Sequence, residues 1–313
     1  MSEAGGEVFD LGYQHYEGPR EGRNRARKAL WMNGMRTTLG IGRGSRAKIL
    51  PVILFLCAII PAVVMAVVAA VAGSSDALPS HSDYFGLESL VLFIFAALLA
   101  PELLCSDKRD GVLFLYLVRP LTTIDYLAAR LLSFFSITFV LICSGQVILF
   151  AGFLLGAEDS LTYLRDNWLD IPGFLVAGGV IALFTSLLPL AVSSFTTRRA
   201  YAAVFVIVVF FVSSALAGAL TWSEEPIGNN GSRGEIEPLT GDAAKWLELI
   251  EIGRAPLRVS ELILDGEVQK GNEGSPDGDL AKELPKAVPV LWYILVTSGL
   301  GFVLWWRYRE MRL

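Results

Sequence analysis

The chain has 313 residues, of which 53% are hydrophobic and 18% charged, and its mean hydropathy is +0.53. This composition indicates a membrane protein rather than the pair of soluble domains that the length alone would predict, and a net charge of −5 gives no indication of nucleic-acid binding. The three cysteines, Cys57, Cys105 and Cys143, are widely separated and form no CxxC pair, so we interpret them as small packing residues rather than metal ligands.

Six segments are long and apolar enough to cross a bilayer, since a transmembrane helix needs about 20 apolar residues. The pentapeptide TTRRA joins the fourth segment to the fifth, which predicts a tight helical hairpin. With six spans, both ends of the chain lie on the same side of the membrane. The sequence therefore predicts an all-α polytopic membrane protein with six transmembrane helices, at Ile49–Ala72, Leu87–Leu104, Leu127–Gly156, Ile171–Phe195, Ala200–Leu220 and Ala287–Trp306.

The distribution of lysine and arginine predicts how these helices are oriented. Residues 1–48 carry nine of them, and nine more lie on the same face, in or beside the connections that follow the second and fourth spans and in the C-terminal tail. The two short loops on the other face, 73–86 and 157–170, carry Arg165 alone. Because short loops rich in Lys and Arg stay in the cytoplasm, we expect both the N- and the C-terminus there. The polar, basic start of the chain predicts no cleavable signal peptide.

This topology divides the chain into four parts. They are a cytoplasmic N-terminal segment at 1–48, five transmembrane helices at 49–220 that include a cytoplasmic loop at 105–126, an extracytoplasmic loop at 221–286, and a sixth helix with a basic tail at 287–313. Within the long outer loop, residues 241–266 alternate apolar and polar residues at helical spacing, and we expect Gly253 and Pro256 to divide them into two short helices. An unstructured loop is the alternative.

The interiors of the predicted spans are almost free of ionisable side chains. Asp, Glu, Lys, Arg and His are absent from 49–72, 89–101, 131–157, 171–197, 200–223 and 287–306. We expect Glu88 and Glu102 near the ends of a span, within reach of water or headgroups. This pattern argues against a proton-driven carrier and against an acid–base hydrolase, because both need ionisable groups inside the bilayer.

A few uncharged polar residues remain within the spans. Gln146 is the best candidate for contact with a translocation path, together with Ser144. The alternative is a hydrogen bond to a neighbouring helix or to the residue's own backbone, which such side chains make more often. Gly152 and Gly156 form a GxxxG pair, which predicts close packing against another helix.

A nucleotide-binding loop is not indicated. The sequence contains no GxxxxGK[ST], and the glycines of GIGRGSR lack the Lys-Ser/Thr pair of that motif. If ATP drives this protein, a separate chain hydrolyses it.

The loop between the second and third spans is charged at both ends and apolar in the middle, with the sequence SDKRDGVLFLYLVRPLTTIDY over residues 106–126. We expect a short helix that ends at Pro120, with Asp125 capping the helix that follows. One apolar face of the short helix, with an arginine on either side, is formed by Val112, Leu115 and Tyr116 between Arg109 and Arg119. Taken alone, such a helix could also rest on a lipid surface.

Two motifs can be read from the segments that flank the predicted spans. The pattern D-x-R-x-G-x-L-x-x-x-L-x-R-P-L-x-x-x-x-Y-L-x-x-[KR] is matched by Asp107, Arg109, Gly111, Leu113, Leu117, Arg119, Pro120, Leu121, Tyr126, Leu127 and Arg130, and the pattern Y-x-x-Y-x-G-x-R by Tyr13, Tyr16, Gly18 and Arg20. Both resemble motifs of the ABC-2 type family of ATP-binding-cassette permeases, in part of which the second precedes the first span.

The resemblance implies an ABC-2 type exporter permease fold and a multi-pass subunit of a bacterial cytoplasmic membrane that is not itself an enzyme. Its implied partners are a second permease, identical or related, and two copies of a cytosolic ABC ATPase that hold ATP and Mg²⁺; no cofactor is expected in this chain. The basic segment 23–46 would form an amphipathic helix on the cytoplasmic membrane surface. The residues assigned to ATPase coupling are Asp107, Arg109, Gly111, Leu113, Leu115, Leu117, Arg119, Pro120 and Tyr126.

The residues alone are also compatible with two other functions. The first is a non-transporting membrane anchor or sensor that recruits a cytosolic ATPase or another partner through the same loop. The second is a polytopic enzyme acting on lipids, which is the weakest because no cluster of His, Asp or Glu lies at a predicted membrane face.

Overall fold

The computed structural model describes residues 22–42, 44–72, 80–113, 116, 121–224, 236–238, 242–266 and 280–309. Its helices in chain order are α1 (Arg23–Thr38), α2 (Arg46–Ala72), α3 (His81–Arg109), α4 (Thr123–Gly156), α5 (Ser160–Asp166), α6 (Asp170–Ser193), α7 (Arg199–Thr221), α8 (Asp242–Leu247), α9 (Ala255–Leu264) and α10 (Ala287–Arg309). Between α7 and α8, the three-residue strands β1 (Trp222–Glu224) and β2 (Ile236–Pro238) pair antiparallel. Short 3₁₀ helices lie at Glu248–Ile250, Ile252–Arg254 and Leu280–Glu283.

Within the described ranges, six helices are long and apolar enough to cross a membrane: α2, α3, α4, α6, α7 and α10. They coincide with the six segments predicted from the sequence, so the all-α class with six candidate spans is confirmed. The largest difference is at α3, which begins at His81 rather than Leu87. A capping box starts the helix there, in which the Ser80 hydroxyl accepts from the Asp83 backbone N–H and the Asp83 carboxylate accepts from the Ser80 backbone N–H.

The earlier start of α3 places Glu88 on its third turn, inside the bundle. The residue is only 3% exposed. The expectation that Glu88 lies within reach of water or headgroups is therefore wrong. Glu102 is partly exposed and forms an ion pair with Arg199, whose Nη1 lies 3.0 Å from Glu102 Oε2.

Three helices, α3, α4 and α6, form the centre of the bundle, and α2, α7 and α10 lie around them. Phe95, Phe134 and Ile181, one from each central helix, belong to the same buried cluster. The outer helices expose apolar side chains instead, such as Val67 and Phe211. Apolar surface of this kind suits the hydrocarbon of a bilayer, in agreement with a multi-pass membrane protein.

Glycines in α4 let α2 approach it closely. A Cβ atom at Gly152 would lie 2.3 Å from the Cα atom of Ala66, and one at Gly156 would lie 2.3 Å from the carbonyl oxygen of Ala69. A larger side chain at either position would have to displace backbone. The close packing predicted from the GxxxG pair is confirmed.

Part of the long connection between α7 and α10 folds back onto the bundle. Val259 of α9 packs with Phe93 of α3 and Phe184 of α6 in a second buried cluster. Gly253 lies in the 3₁₀ helix before α9, and Pro256 lies in the first turn of α9. The segment contains two short α-helices, as predicted, but the division begins at Leu247, where α8 ends, and not at Gly253.

We expect Gly152→Ala to separate α2 from α4 and to lower the melting temperature, because the added methyl group meets the backbone of Ala66. Overpacking of this kind costs about 1–3 kcal/mol. Thermal unfolding of the purified protein in detergent measures the effect. The matched control is Gly299→Ala in α10, where nothing lies within 4 Å of an added Cβ atom. Equal melting temperatures for the two variants would contradict the close packing.

A candidate coupling site at one end of the helix bundle

The end of α3 and neighbouring ends of α6, α7 and α10 meet at one end of the bundle. We call it the basic end, because Lys108 and Arg199 lie there. Lys108, near the end of α3, donates to the carbonyl oxygens of Ser193 and Ser194 at the end of α6. The same ammonium group lies 5.0 Å from the ring centroid of Tyr308 in α10. Arg199 of α7 donates to Glu102 of α3 at 3.0 Å. The loop that leaves α3 therefore starts where α3 is already tied to three other helices.

A buried acid–base cluster joins the end of α3 to the start of α4. Asp107 Oδ2 accepts hydrogen bonds from the hydroxyl of Tyr126 at 2.7 Å and from Arg130 Nη2 at 2.5 Å. The three residues are 6%, 0% and 2% exposed, respectively. A carboxylate this deeply buried needs a cation and further donors around it, and Arg130 and Tyr126 supply them. The cluster fixes the distance between the two ends of the loop.

Aromatic rings complete the surroundings of Arg130. Its guanidinium carbon lies 5.8 Å from the ring centroid of Tyr116 and 5.7 Å from that of Tyr126, and the two rings stack with centroids 5.9 Å apart. The Nε and Nη1 atoms of Arg130 are buried without a hydrogen-bond partner among the described residues. The charge of Arg130 is therefore stabilised mainly by Asp107 and by the faces of the two rings.

Asp125 clamps α1 to the start of α4. Its Oδ2 accepts from Arg23 Nε at 2.7 Å and its Oδ1 from Arg27 Nε at 2.8 Å. The same carboxylate accepts from the backbone N–H of Thr122 at 2.9 Å and so completes a capping box for α4. Asp125 thus caps the N-terminus of α4 and also holds α1 against it.

The loop after α3 begins with exposed residues, and the chain then reverses direction at Gly111. Arg109 Nε donates to Asp110 Oδ1 at 3.0 Å, and both side chains are more than half exposed. Gly111 has a φ of +68° and nothing within 4 Å of a Cβ atom, so it forms an open reversal that glycine adopts without strain. Leu113 follows and is buried in the main hydrophobic cluster. The described start of the loop, Arg109 to Gly111, is therefore charged and accessible, and we call it the tip. Leu113 anchors the chain that follows to the bundle.

The structure separates the residues assigned to ATPase coupling into two groups. Arg109 and Gly111 lie on the surface, whereas Asp107, Leu113 and Tyr126 are buried. The buried three hold the loop in place within their own chain. Leu121, Leu127 and Arg130 of the longer motif are buried as well. The other residues of the two motifs and of the coupling set lie outside the described residues, namely Leu115, Leu117, Arg119, Pro120, Tyr13, Tyr16, Gly18 and Arg20.

Gln146 and Ser144 lie away from the basic end and are engaged in hydrogen bonds. Gln146 Nε2 donates to the carbonyl oxygen of His81 at 2.9 Å, and its Oε1 lies 2.7 Å from His81 Nδ1. The Ser144 hydroxyl donates to the carbonyl oxygen of Leu141 at 2.7 Å. Both side chains thus make the helix-to-helix or backbone bonds that were the alternative to a role in a translocation path.

Several partners at the basic end have no signal in the sequence. Arg23 and Arg27 lie 102 and 98 residues from Asp125 along the chain, and no local pattern connects residues so far apart. Arg130 is different, because it occupies the last position of the longer motif, where its spacing from Asp107 was visible. Sequence reasoning identified Asp125 as a cap but not as the acceptor that holds α1.

No protein-family model matches the chain, and no curated protein matches it. Among the described residues, no group of three or more His, Cys, Asp or Glu side chains is arranged to hold a metal ion. The functional interpretation therefore rests on the geometry of the basic end and on the two sequence motifs.

We expect Asp107→Asn to destabilise the protein strongly, because it leaves the buried charge of Arg130 without its counterion. Removing one partner of a buried ion pair costs about 3–5 kcal/mol. Asp110→Asn is the matched control, since Asp110 is more than half exposed and forms its ion pair with its exposed neighbour Arg109. Adding Arg130→Met to Asp107→Asn should restore part of the lost stability. Similar melting temperatures for Asp107→Asn and Asp110→Asn would contradict a buried ion pair.

We expect Asp125→Asn to release α1 from α4, because the amide keeps the shape of the cap but loses the charge that attracts Arg23 and Arg27. Hydrogen–deuterium exchange over residues 23–38 should then become faster. Asp83→Asn is the control, because Asp83 has the same capping-box position in α3. Unchanged exchange in α1 of the Asp125→Asn variant would show that other contacts hold the helix.

Proposed function

We propose that this chain is the membrane-spanning permease subunit of an ATP-binding-cassette exporter of the ABC-2 type. It lies in a bacterial cytoplasmic membrane with both termini in the cytoplasm, forms a dimer with a second permease, and is driven by two separate cytosolic ATPase subunits. The observation that carries the proposal is the loop after α3, whose motif residues Asp107, Tyr126 and Arg130 form one buried cluster beneath an exposed tip.

This arrangement suits a loop that receives force. The tip at Arg109 and Gly111 is accessible to a partner, whereas the base is held by a buried ion pair that resists bending. A displacement of the tip would move the end of α3 and the start of α4 together. Lys108 extends the connection to α6 and α10, and Arg199 extends it to α7. Rigid-body motion of helices is the usual response to such a push.

The amino-terminal helix supports the same interpretation. α1 is clamped to α4 by Asp125, next to the Asp107 cluster, so it moves with the loop base. Its outward side carries the exposed residues Arg25, Lys28 and Arg36, and Leu30 and Gly34 face the bundle. In the proposed complex, this basic side faces anionic headgroups or the ATPase at the cytoplasmic surface.

The translocation path in this proposal lies between two permeases. The centre of a single bundle is filled by α3, α4 and α6, whose buried side chains pack in a continuous cluster. The polar residue first considered for the path, Gln146, is bonded to His81 within that packing. A path between two copies leaves this core intact while the bundles move apart.

The test is to purify the tagged protein from its native membranes in mild detergent and to identify the proteins that accompany it. We expect an ABC ATPase in a one-to-one ratio with the permease, and its loss from Gly111→Asp, which places a bulky charge at the open tip. Gly266→Asp is the matched control, because Gly266 also has a positive φ (+70°) and nothing within 4 Å of a Cβ atom.

Two results would contradict the proposal. Recovery of the permease without any ATPase would mean that no ATPase subunit is bound to drive transport. An ATPase that accompanies the permease but hydrolyses ATP at the same rate with and without it would favour the non-transporting anchor.

A further inference from the structure

Glu88 is a buried acid without a hydrogen-bond partner in the part of the chain that the structure describes. It lies on the third turn of α3 and is 3% exposed, and both of its carboxyl oxygens are buried without a hydrogen bond to any described residue. The other buried acids of the bundle differ sharply. Asp107 accepts from a phenol and a guanidinium, and Asp125 accepts from two arginines.

A second titratable group with one buried, unbonded atom among the described residues lies on the same face of α3. His81 is seven residues earlier, which is two helical turns or about 10 Å. Its Nε2 atom is buried without a hydrogen-bond partner among the described residues, while Nδ1 is bonded to Gln146. Phe150 and Phe174 of α4 and α6 lie against the ring, with centroids 6.1 and 5.8 Å away.

Among the described residues, the side chains around Glu88 offer no charge to balance a carboxylate. Tyr84 of α3 and Cys143 of α4 lie within its electrostatic range, and the Tyr84 hydroxyl is already donated to the carbonyl oxygen of Ala58 in α2. After Asp170, α6 has no ionisable residue, and α7 has none beyond Tyr201. α9 carries Arg258, which donates to the Glu248 carbonyl oxygen, and Glu261. The basic residues of α1 belong to the basic end.

An ionised carboxylate in this setting would be unpaired and desolvated, which is among the least favourable arrangements in a protein interior. In the packing observed, Glu88 is therefore the neutral acid. Its O–H donor is equally unsatisfied, so a hydrophobic residue of similar size would fill the site better. A structural role in holding α3 does not explain why a carboxyl group is present here.

We propose that Glu88 is a reversible proton-binding site of the membrane domain and that its ionisation stabilises a second arrangement of α3 against α4 and α6. On release, the proton leaves the carboxyl O–H for water that enters on the side of His81, where Nε2 has no hydrogen-bond partner among the described residues. The carboxylate left behind requires water or a donor, which the observed packing does not provide. Helices around Glu88 therefore separate when it ionises and close when it takes up a proton.

This inference goes beyond the proposed function and does not depend on it. A proton site on α3 would make an ATP-driven permease sensitive to pH, and it would do the same for a membrane anchor. Its test consequently uses the chain by itself in lipid, without an ATPase or a transported substrate.

Infrared difference spectroscopy on the purified protein in phospholipid vesicles tests the site directly. We expect a C=O stretching band of a protonated carboxyl group at neutral pH, its absence in Glu88→Gln, and its loss as the pH of the wild-type sample is raised. Glu102→Gln is the control and should leave the band unchanged, since Glu102 is paired with Arg199. Absence of a Glu88-dependent band, or a band that persists at every pH at which the protein stays folded, would overturn the proposal.

Alkylation of Cys143 tests the linked movement. In a Cys57→Ser/Cys105→Ser background, we expect labelling of this buried thiol by a membrane-permeant maleimide to rise several-fold more with pH when residue 88 is Glu than when it is Gln. The amide mimics the neutral acid, so Glu88→Gln should fold as stably as the wild type and remain closed. Equal pH profiles for the two proteins, or failure of Glu88→Gln to fold, would contradict the proposal.

Discussion

The ion pair between Asp107 and Arg130 is the constraint on which the basic end depends. Both groups are withdrawn from water, so each needs the other, and the resulting bond ties the last turn of α3 to the first turns of α4. Tyr126 and Tyr116 enclose the pair, and Leu113 anchors the chain between the two helices. With its ends fixed in this way, the loop can project Arg109 and Gly111 outward without moving independently of the bundle.

α3 connects two regions with opposite electrostatic properties. Glu88 and Asp107 are 19 residues apart on this helix, which is about 28 Å along its axis. Asp107 is buried with two donors, which fix its position. Glu88 is buried with no partner among the described residues, so its charge state depends on how the helices pack around it. A push on the loop and a change in protonation would therefore act on the same helix from opposite ends.

The sequence was sufficient to predict where the spans lie, but not to predict most of the side-chain contacts between them. Hydrophobic runs of the required length predicted all six long helices, and GxxxG predicted the approach of α2 to Gly152 and Gly156. The start of α3 was missed because its first turns, with Ser82 and Asp83, are polar, although the capping box at Ser80 was a readable signal. That error concealed the burial of Glu88 and the hydrogen bonds between His81 and Gln146. The clamp of Arg23 and Arg27 on Asp125 could not be predicted, since it pairs residues about a hundred positions apart and exists only once α1 lies on α4.

The most direct measurement of the central claim is a cryo-electron microscopy map of the protein extracted with its partners from native membranes. We expect a second permease, density for two ATPase subunits against Arg109 and Gly111, and the Asp107–Arg130 pair intact directly beneath that contact. A map in which the loop lies on the detergent belt with no partner against it would contradict a coupling role and would leave the loop as a lipid-surface element.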